Sequence, residues 1–217
     1  MVNRRPTASR LLGARFMKSA PSMATLPTDA GSEVAFVGRS NAGKSTALNA
    51  ICQQRALART SRTPGRTREL NYFAVAETER LVDLPGYGYA AVPVAMQQAW
   101  GEFIALYFAE RRSLQGMVQL VDSRHGIREL DAELLCYAWQ RHLPALVLLS
   151  KADKLNRQEQ VNAVRQANVA LATLHPEARV LLFSAKERLG IEDTRRFIEQ
   201  RLAPEAPAEA GPTGADP

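Results

Sequence analysis

No apolar run in the 217 residues approaches the ~20 needed to cross a bilayer, which argues against a helical membrane protein. Only two cysteines occur, Cys52 and Cys136, with no metal-ligand spacing and no apolar signal-peptide core ahead of them. A disulfide framework and a thiolate metal centre are thereby disfavoured, and both thiols read as reduced, small hydrophobes of a cytoplasmic protein. Acids are missing from one end of the chain and bases from the other. Residues 1–28 hold Arg4, Arg5, Arg10, Arg15 and Lys18 with no acid before Asp29, whereas residues 203–217 hold Glu205, Glu209 and Asp216 with no lysine or arginine.

The formal net charge is +6, so the body preceding the acidic tail is +9. A surface that basic suits a polyanionic partner such as nucleic acid. The length suits one α/β domain over residues 31–202, carrying a basic extension (1–30) packed on it and a Pro- and Ala-rich tail (203–217) expected to be disordered. The basic stretch has the composition of a mitochondrial transit peptide, but Leu11, Leu12, Phe16 and Met17 favour a short amphipathic helix docked on the domain.

From Val34 onward, strand, loop and helix patterns alternate. Apolar strands are predicted at Val34–Val37, Leu81–Val82, Val118–Val121, Leu146–Leu149 and Val180–Phe183. Helical patterns lie near Lys44–Gln53, Val94–Arg111, Glu129–His142, Gln158–Thr173 and Ile191–Leu202. The expected fold is a doubly wound α/β domain with a mostly parallel six-stranded sheet, helices on both faces, and one antiparallel strand in the hairpin Leu70–Ala76.

After the first of these strands stands Gly38-Arg39-Ser40-Asn41-Ala42-Gly43-Lys44-Ser45, a G-x-x-x-x-G-K-[ST] phosphate loop between a strand and a helix. Its glycines let backbone N–H groups curl round phosphates. Lys44 reaches the β- and γ-phosphates, and Ser45 ligates Mg²⁺. Asp83-Leu84-Pro85-Gly86 ends a later strand, placing a carboxylate where it can hold magnesium through water and a glycine N–H where it can meet the γ-phosphate.

Between these motifs, residues 54–69 are polar and rich in helix breakers, as expected of a nucleotide-sensitive switch segment. Thr67, with Thr63 as the alternative, is expected to complete the metal shell only while the γ-phosphate is present. Ser150-Lys151-Ala152-Asp153 follows an apolar strand in the shape of a guanine-reading motif. Asp153 can accept from the N1–H and exocyclic amine of guanine, a donor pair that adenine lacks. Phe183-Ser184-Ala185 ends the next strand, with the Ala185 N–H available to guanine O6.

Beyond these general motifs, Phe16-Met17-Lys18-Ser19-Ala20-Pro21, Thr63-Pro64-Gly65-Arg66-Thr67, Leu70-Asn71-Tyr72-Phe73, Asp83-Leu84-Pro85-Gly86-Tyr87-Gly88-Tyr89-Ala90 and Asp122-Ser123-Arg124-His125 resemble the bacterial EngB (YihA/YsxC-type) GTPases, within the TrmE-Era-EngA-EngB-septin-like class of P-loop, Ras-like G domains. The resemblance spans roughly Phe16 to Leu202, so the basic extension reads as part of the mature protein.

It implies guanine-nucleotide contacts from Gly38 through Ser45, from Gly65, Arg66, Thr67, Arg68 and Glu69, and from Asp83, Leu84, Pro85 and Gly86, with the base held by Ser150–Asp153 and Phe183–Ala185. Magnesium would be held by Ser45 and Thr67, and Lys44, Thr67 and Gly86 would meet the reacting phosphate. Two positions depart from the family pattern: Ser150 where threonine or asparagine is commoner, and Glu69 at a commonly uncharged place.

The resemblance also implies a GTP hydrolase needed for large ribosomal subunit assembly, with loss producing defective cell division and septation. A division factor working through a protein partner is the alternative. An ATP-using enzyme is disfavoured by Lys151 and Asp153. Arg55, Arg59, Arg62, Arg66 and Arg68 crowd the switch segment, as suits a grip on rRNA that changes with nucleotide state. Tyr87 stands where related enzymes use a glutamine to orient water, so intrinsic turnover is expected on the order of 10⁻⁴ s⁻¹. Asn41 resembles the asparagine by which other GTPases of this class hold a potassium ion. A monomer is expected.

Overall fold

A computed structural model describes residues 8–58, 69–88 and 94–202. Its strands are β1 (Arg15–Ala20), β2 (Ser32–Gly38), β3 (Leu70–Ala74), β4 (Glu79–Asp83), β5 (Leu114–Asp122), β6 (Ala145–Ser150) and β7 (Arg179–Leu182), and its helices are α1 (Lys44–Ile51), α2 (Val94–Glu110), α3 (Glu129–Gln140), α4 (Arg157–Leu174) and α5 (Ile191–Leu202). The strands form one sheet in the order β1-β3-β4-β2-β5-β6-β7. β3 pairs antiparallel with both β1 and β4 and so runs against the other six strands.

The central strands are buried on both faces, and their period-two alternation sorts side chains into two cores. Ala35, Val37, Met117, Val121, Val147 and Leu149 pack with Tyr107, Phe108, Leu134 and Leu171 on one face. Val34, Phe36, Val118, Leu120, Leu146 and Leu148 pack with Leu48, Ile51, Phe197 and Ile198 on the other. Polar residues are buried on the first face too: Gln119, Glu33 and Asp131 are all fully buried.

The expected α/β class, the strand and helix positions after Val34 and the β3–β4 hairpin are all present. The N-terminal segment differs. Residues 10–13 form a 3-10 turn, and Phe16 and Met17 lie in β1, a seventh strand where a helix was predicted. The reason is non-local: β3 offers a free edge, and pairing Arg15 with Ala74 and Ala20 with Leu70 satisfies backbone groups that a short isolated helix would stabilise poorly. Phe16 meets Phe73 edge-to-face at 6.0 Å between ring centroids, a cross-strand contact that fixes the register.

Candidate functional site: a phosphate loop beside a base-reading strand end

The candidate residues gather at the C-terminal ends of the parallel strands, where doubly wound sheets hold ligands. Gly38 closes β2, and the chain turns through Asn41 (φ 65°) and Gly43 (φ 93°) before α1 begins at Lys44. These left-handed conformations wrap the loop and leave the first-turn N–H groups of α1 without intrahelical partners. The Ser40 N–H donates to the Tyr87 carbonyl at 2.8 Å, tying the loop to the turn after β4. Gly86 stands so close to that loop that a Cβ would come within 3.0 Å of Ser40 Cα, which accounts for glycine there.

Lys44 Nζ lies 2.9 Å from Asp83 Oδ1, with both side chains largely buried. That oxygen accepts no hydrogen bond of good geometry, so a buried carboxylate oxygen with spare capacity faces the start of α1, where Ser45 sits. Hard oxygen donors of this kind fit a magnesium ion. Thr67, the other expected ligand, lies outside the described residues, as do Gly65, Arg66 and Arg68. Glu69 is half-buried immediately before β3.

At the end of β6, Ser150 Oγ donates to the Ala42 carbonyl at 2.7 Å. Lys151, at φ 57°, extends its ammonium to the Asn41 carbonyl at 2.7 Å and to Asp122 Oδ2 at 2.9 Å. The base-reading segment and the phosphate loop are therefore tied together by two donors from adjacent residues. The Ala152 N–H donates to the Phe183 carbonyl at 3.1 Å, which brings the end of β7 alongside. Ser184 Oγ donates to Asp153 Oδ1 at 2.8 Å, and this bond holds the Asp153 carboxyl below its usual range. An ionised carboxylate at this position can accept a paired donor edge.

Tyr87 faces away from the phosphate loop. Its ring is buried on the first core face, its hydroxyl donates to Asp131 Oδ1 at 2.6 Å, and Gln119 Nε2 donates to it at 3.1 Å. Burial first, and then the Asp131 charge, push the phenol well above its ordinary pKa, so it stays a neutral donor.

The sequence marks Asp122 only as part of a family stretch, yet it holds Lys151 in place. Burial opposes its ionisation, but hydrogen bonds from Arg124 and Lys151 prevail and lower its pKa strongly. The available signal was its register opposite Ser150, which puts it beside Lys151 once β5 and β6 are paired in parallel. Among the described residues, no cluster of histidine, cysteine and acids could hold a further metal.

Residues 33–151 match the model of a family described as 50S ribosome-binding GTPase. The probable GTP-binding protein EngB of Stenotrophomonas maltophilia is 48% identical over 186 residues, covering 85% of this chain and 93% of the relative. The protein of the same name from Xylella fastidiosa (strain Temecula1) is 49% identical over 197 residues, covering 90% and 97%. Among solved structures, a probable GTP-binding protein engB superposes with a TM-score of 0.61 at 24% identity, covering 79% of this chain and 98% of that one. Era in complex with MgGDPNP and nucleotides 1506–1542 of 16S ribosomal RNA gives a TM-score of 0.61 at 22% identity, covering 82% of this chain and 59% of that one. At those identities the structural likenesses carry the fold alone.

Proposed function

The chain belongs to the EngB family of GTP-binding proteins, a GTPase family, and on that premise we propose that it is a slow, magnesium-dependent GTP switch in assembly of the large ribosomal subunit, acting in the cytoplasm as a monomer. The observation that carries the nucleotide part of this reading is the double tie from Ser150 and Lys151 to the carbonyls of Ala42 and Asn41, because it fixes a base-reading carboxylate at a set distance from a phosphate cradle. In this reading Asp153 accepts from the guanine edge and the Ala185 N–H meets O6. The loop from Gly38 through Ser45 wraps the phosphates. Ser45 and Thr67 would hold Mg²⁺, which would supply positive charge to offset that developing on the transferred phosphoryl group.

With a nucleotide bound, Lys44 would exchange its contact with Asp83 for the β- and γ-phosphates. Slow turnover follows from Tyr87: its hydroxyl is committed to Asp131 and Gln119, so the residue after Gly86 offers no group to orient water. Asn41, exposed at the mouth of the loop, is the candidate for holding K⁺, and comparing turnover in K⁺ and Na⁺ checks it.

The ribosomal part rests on the family description and on the basic body of the chain, and consequences for cell division and septation are taken as indirect. The test is co-sedimentation with isolated large ribosomal subunits at fixed salt. Binding with a non-hydrolysable GTP analogue and release with GDP is the expected result. Equal absence of binding in both states would instead favour a division factor that works through a protein partner.

A further inference from the structure

Beside the phosphate loop lies a second concavity, lined by Arg39, Asn41, Asp122, Arg124, His125 and Arg128 together with neighbouring loop residues, Asp131 and Lys151. It shares Arg39 to Ala42 and Lys151 with the nucleotide site but includes none of Gly43, Lys44, Ser45, Asp83, Asp153, Ser184 or Ala185. Its volume is about 190 Å³, below the ~300 Å³ at which ordinary small-molecule pockets begin, so it fits one chemical group of a larger partner.

The charges decide which group. Both acids in the lining are already engaged. Asp122 receives Arg124 on both oxygens and Lys151 on one. Asp131 is fully buried, with Oδ1 taken by the Tyr87 hydroxyl and Oδ2 by the Arg128 backbone N–H at 3.0 Å. Arg39, Arg124, Arg128 and Lys151 thus outnumber the acids by two positive charges, and His125 adds a ring N–H. Among the described residues, Arg39, His125 and Arg128 enter no ion pair. His125 and Arg128 are exposed at the rim.

We propose that this cleft seats a backbone phosphate of RNA, held by Arg128, His125 and Arg39 against the outer flank of the phosphate loop. A guanidinium fork matches phosphate oxygens in pairs, and a body charge of +9 favours a polyanion that repeats its charge over an isolated acidic side chain. Because the wall of the cleft is the phosphate loop itself, with the Lys151 ammonium gripping the Asn41 carbonyl, an RNA seated here lies within two residues of the groups that read the nucleotide. The inference rests on the ribosomal reading above and names the part of the protein that would carry it.

The test uses the full chain carrying Arg128→Glu or His125→Gln, each also titrated with a fluorescent GDP. Guanine-nucleotide affinity is expected to stay within about twofold, since neither side chain belongs to the nucleotide site. Affinity for isolated large subunits should fall roughly tenfold in Arg128→Glu, and the slope of log affinity against log salt should drop by about one. If Arg128→Glu loses nucleotide binding, the milder Arg128→Gln carries the same salt-slope test. Unchanged subunit affinity and slope would overturn the proposal and leave the ribosomal reading standing. Weaker subunit binding with undiminished binding to deproteinised large-subunit RNA would assign the cleft to an acidic protein and overturn it as well. Wild-type protein that binds neither subunit nor RNA would remove the ribosomal reading itself.

Discussion

The two ends of the same sheet use charge in opposite ways. At the N-terminal ends of the parallel strands, Glu33 is fully buried and saturated: Arg80 and Arg111 donate to Oε1 at 3.0 and 2.5 Å, and Arg111 and Tyr107 donate to Oε2 at 3.0 and 3.2 Å. Arg111 also donates to the Pro27 carbonyl at 2.8 Å, so the residue that follows α2 is tied to the segment that precedes β2. At the C-terminal ends, Lys44, Asp83, Lys151 and Asp153 each have a neighbour but keep capacity to spare. The first arrangement is already complete within the protein, whereas the second can be completed by a nucleotide and a metal ion. Burial of an ion pair is a poor guide to function by itself; what separates the ends is whether the groups are already satisfied.

The sharpest way to break the comparison is Glu33→Ala. Removing the acid strands two guanidinium groups in the core, and the expected loss of folding stability is about 3–5 kcal/mol, read from denaturant midpoints. Nucleotide affinity of the protein that remains folded should stay within about twofold. A large drop in affinity without loss of stability would mean that the two ends are coupled through α2.

Asp153→Ala makes the complementary test at the other end. It should weaken GDP binding by about 2–3 kcal/mol, roughly 30- to 150-fold, because two hydrogen bonds from the base to a charged acceptor are lost. The stability of the nucleotide-free protein should change by less than about 1 kcal/mol, as befits a partly exposed carboxylate with one hydroxyl partner. Equal loss of GTP and ATP competition would show that Asp153 supports the fold and leaves base reading to other groups.

The second of these ends was far more legible in the sequence than the first. Gly38–Ser45 and Asp83–Gly86 announce themselves because a phosphate cradle needs particular residues at fixed short spacing, and each is led into by a short apolar run, Val34–Val37 and Leu81–Val82. Contacts between distant residues left no such trace. Arg111 and Glu33 meet across 78 positions, and Tyr87 meets Asp131 across 44, so neither pairing could be read from local pattern. Nor was β1 legible: Phe16 and Met17 are exposed among basic residues, and only the free edge of β3 selects a strand over a helix. Of the switch segment expected over residues 54–69, residues 59–68, Thr63 and Thr67 among them, lie outside the described residues; residues 54–58 form no helix or strand, and Ala58 is held by two hydrogen bonds with the Asn49 side chain.

The smallest effect sharpens the comparison by pH. Burial would raise the Asp29 pKa, but N–H bonds from Ser113 and Arg112 at 2.8 and 3.0 Å and the nearby Arg111 charge overcome it and hold the carboxyl at about 2, against an ordinary 3.8. A carboxyl depressed on folding contributes stability above its unfolded value and loses it as pH falls, here between about 4 and 2. Asp29→Asn should therefore flatten the acid limb of stability over that window, by a modest amount because the side chain is partly exposed. Asp122 is depressed too, but by Arg124 and Lys151 at the nucleotide end, so Asp122→Asn should flatten the limb and also weaken GDP binding. The measurement is denaturant midpoint against pH, with GDP affinity at neutral pH beside it. Asp29 belongs to the completed end, and its variant should bind GDP as the wild type does; a weakened affinity in Asp29→Asn would mean that the saturated network also shapes the nucleotide site.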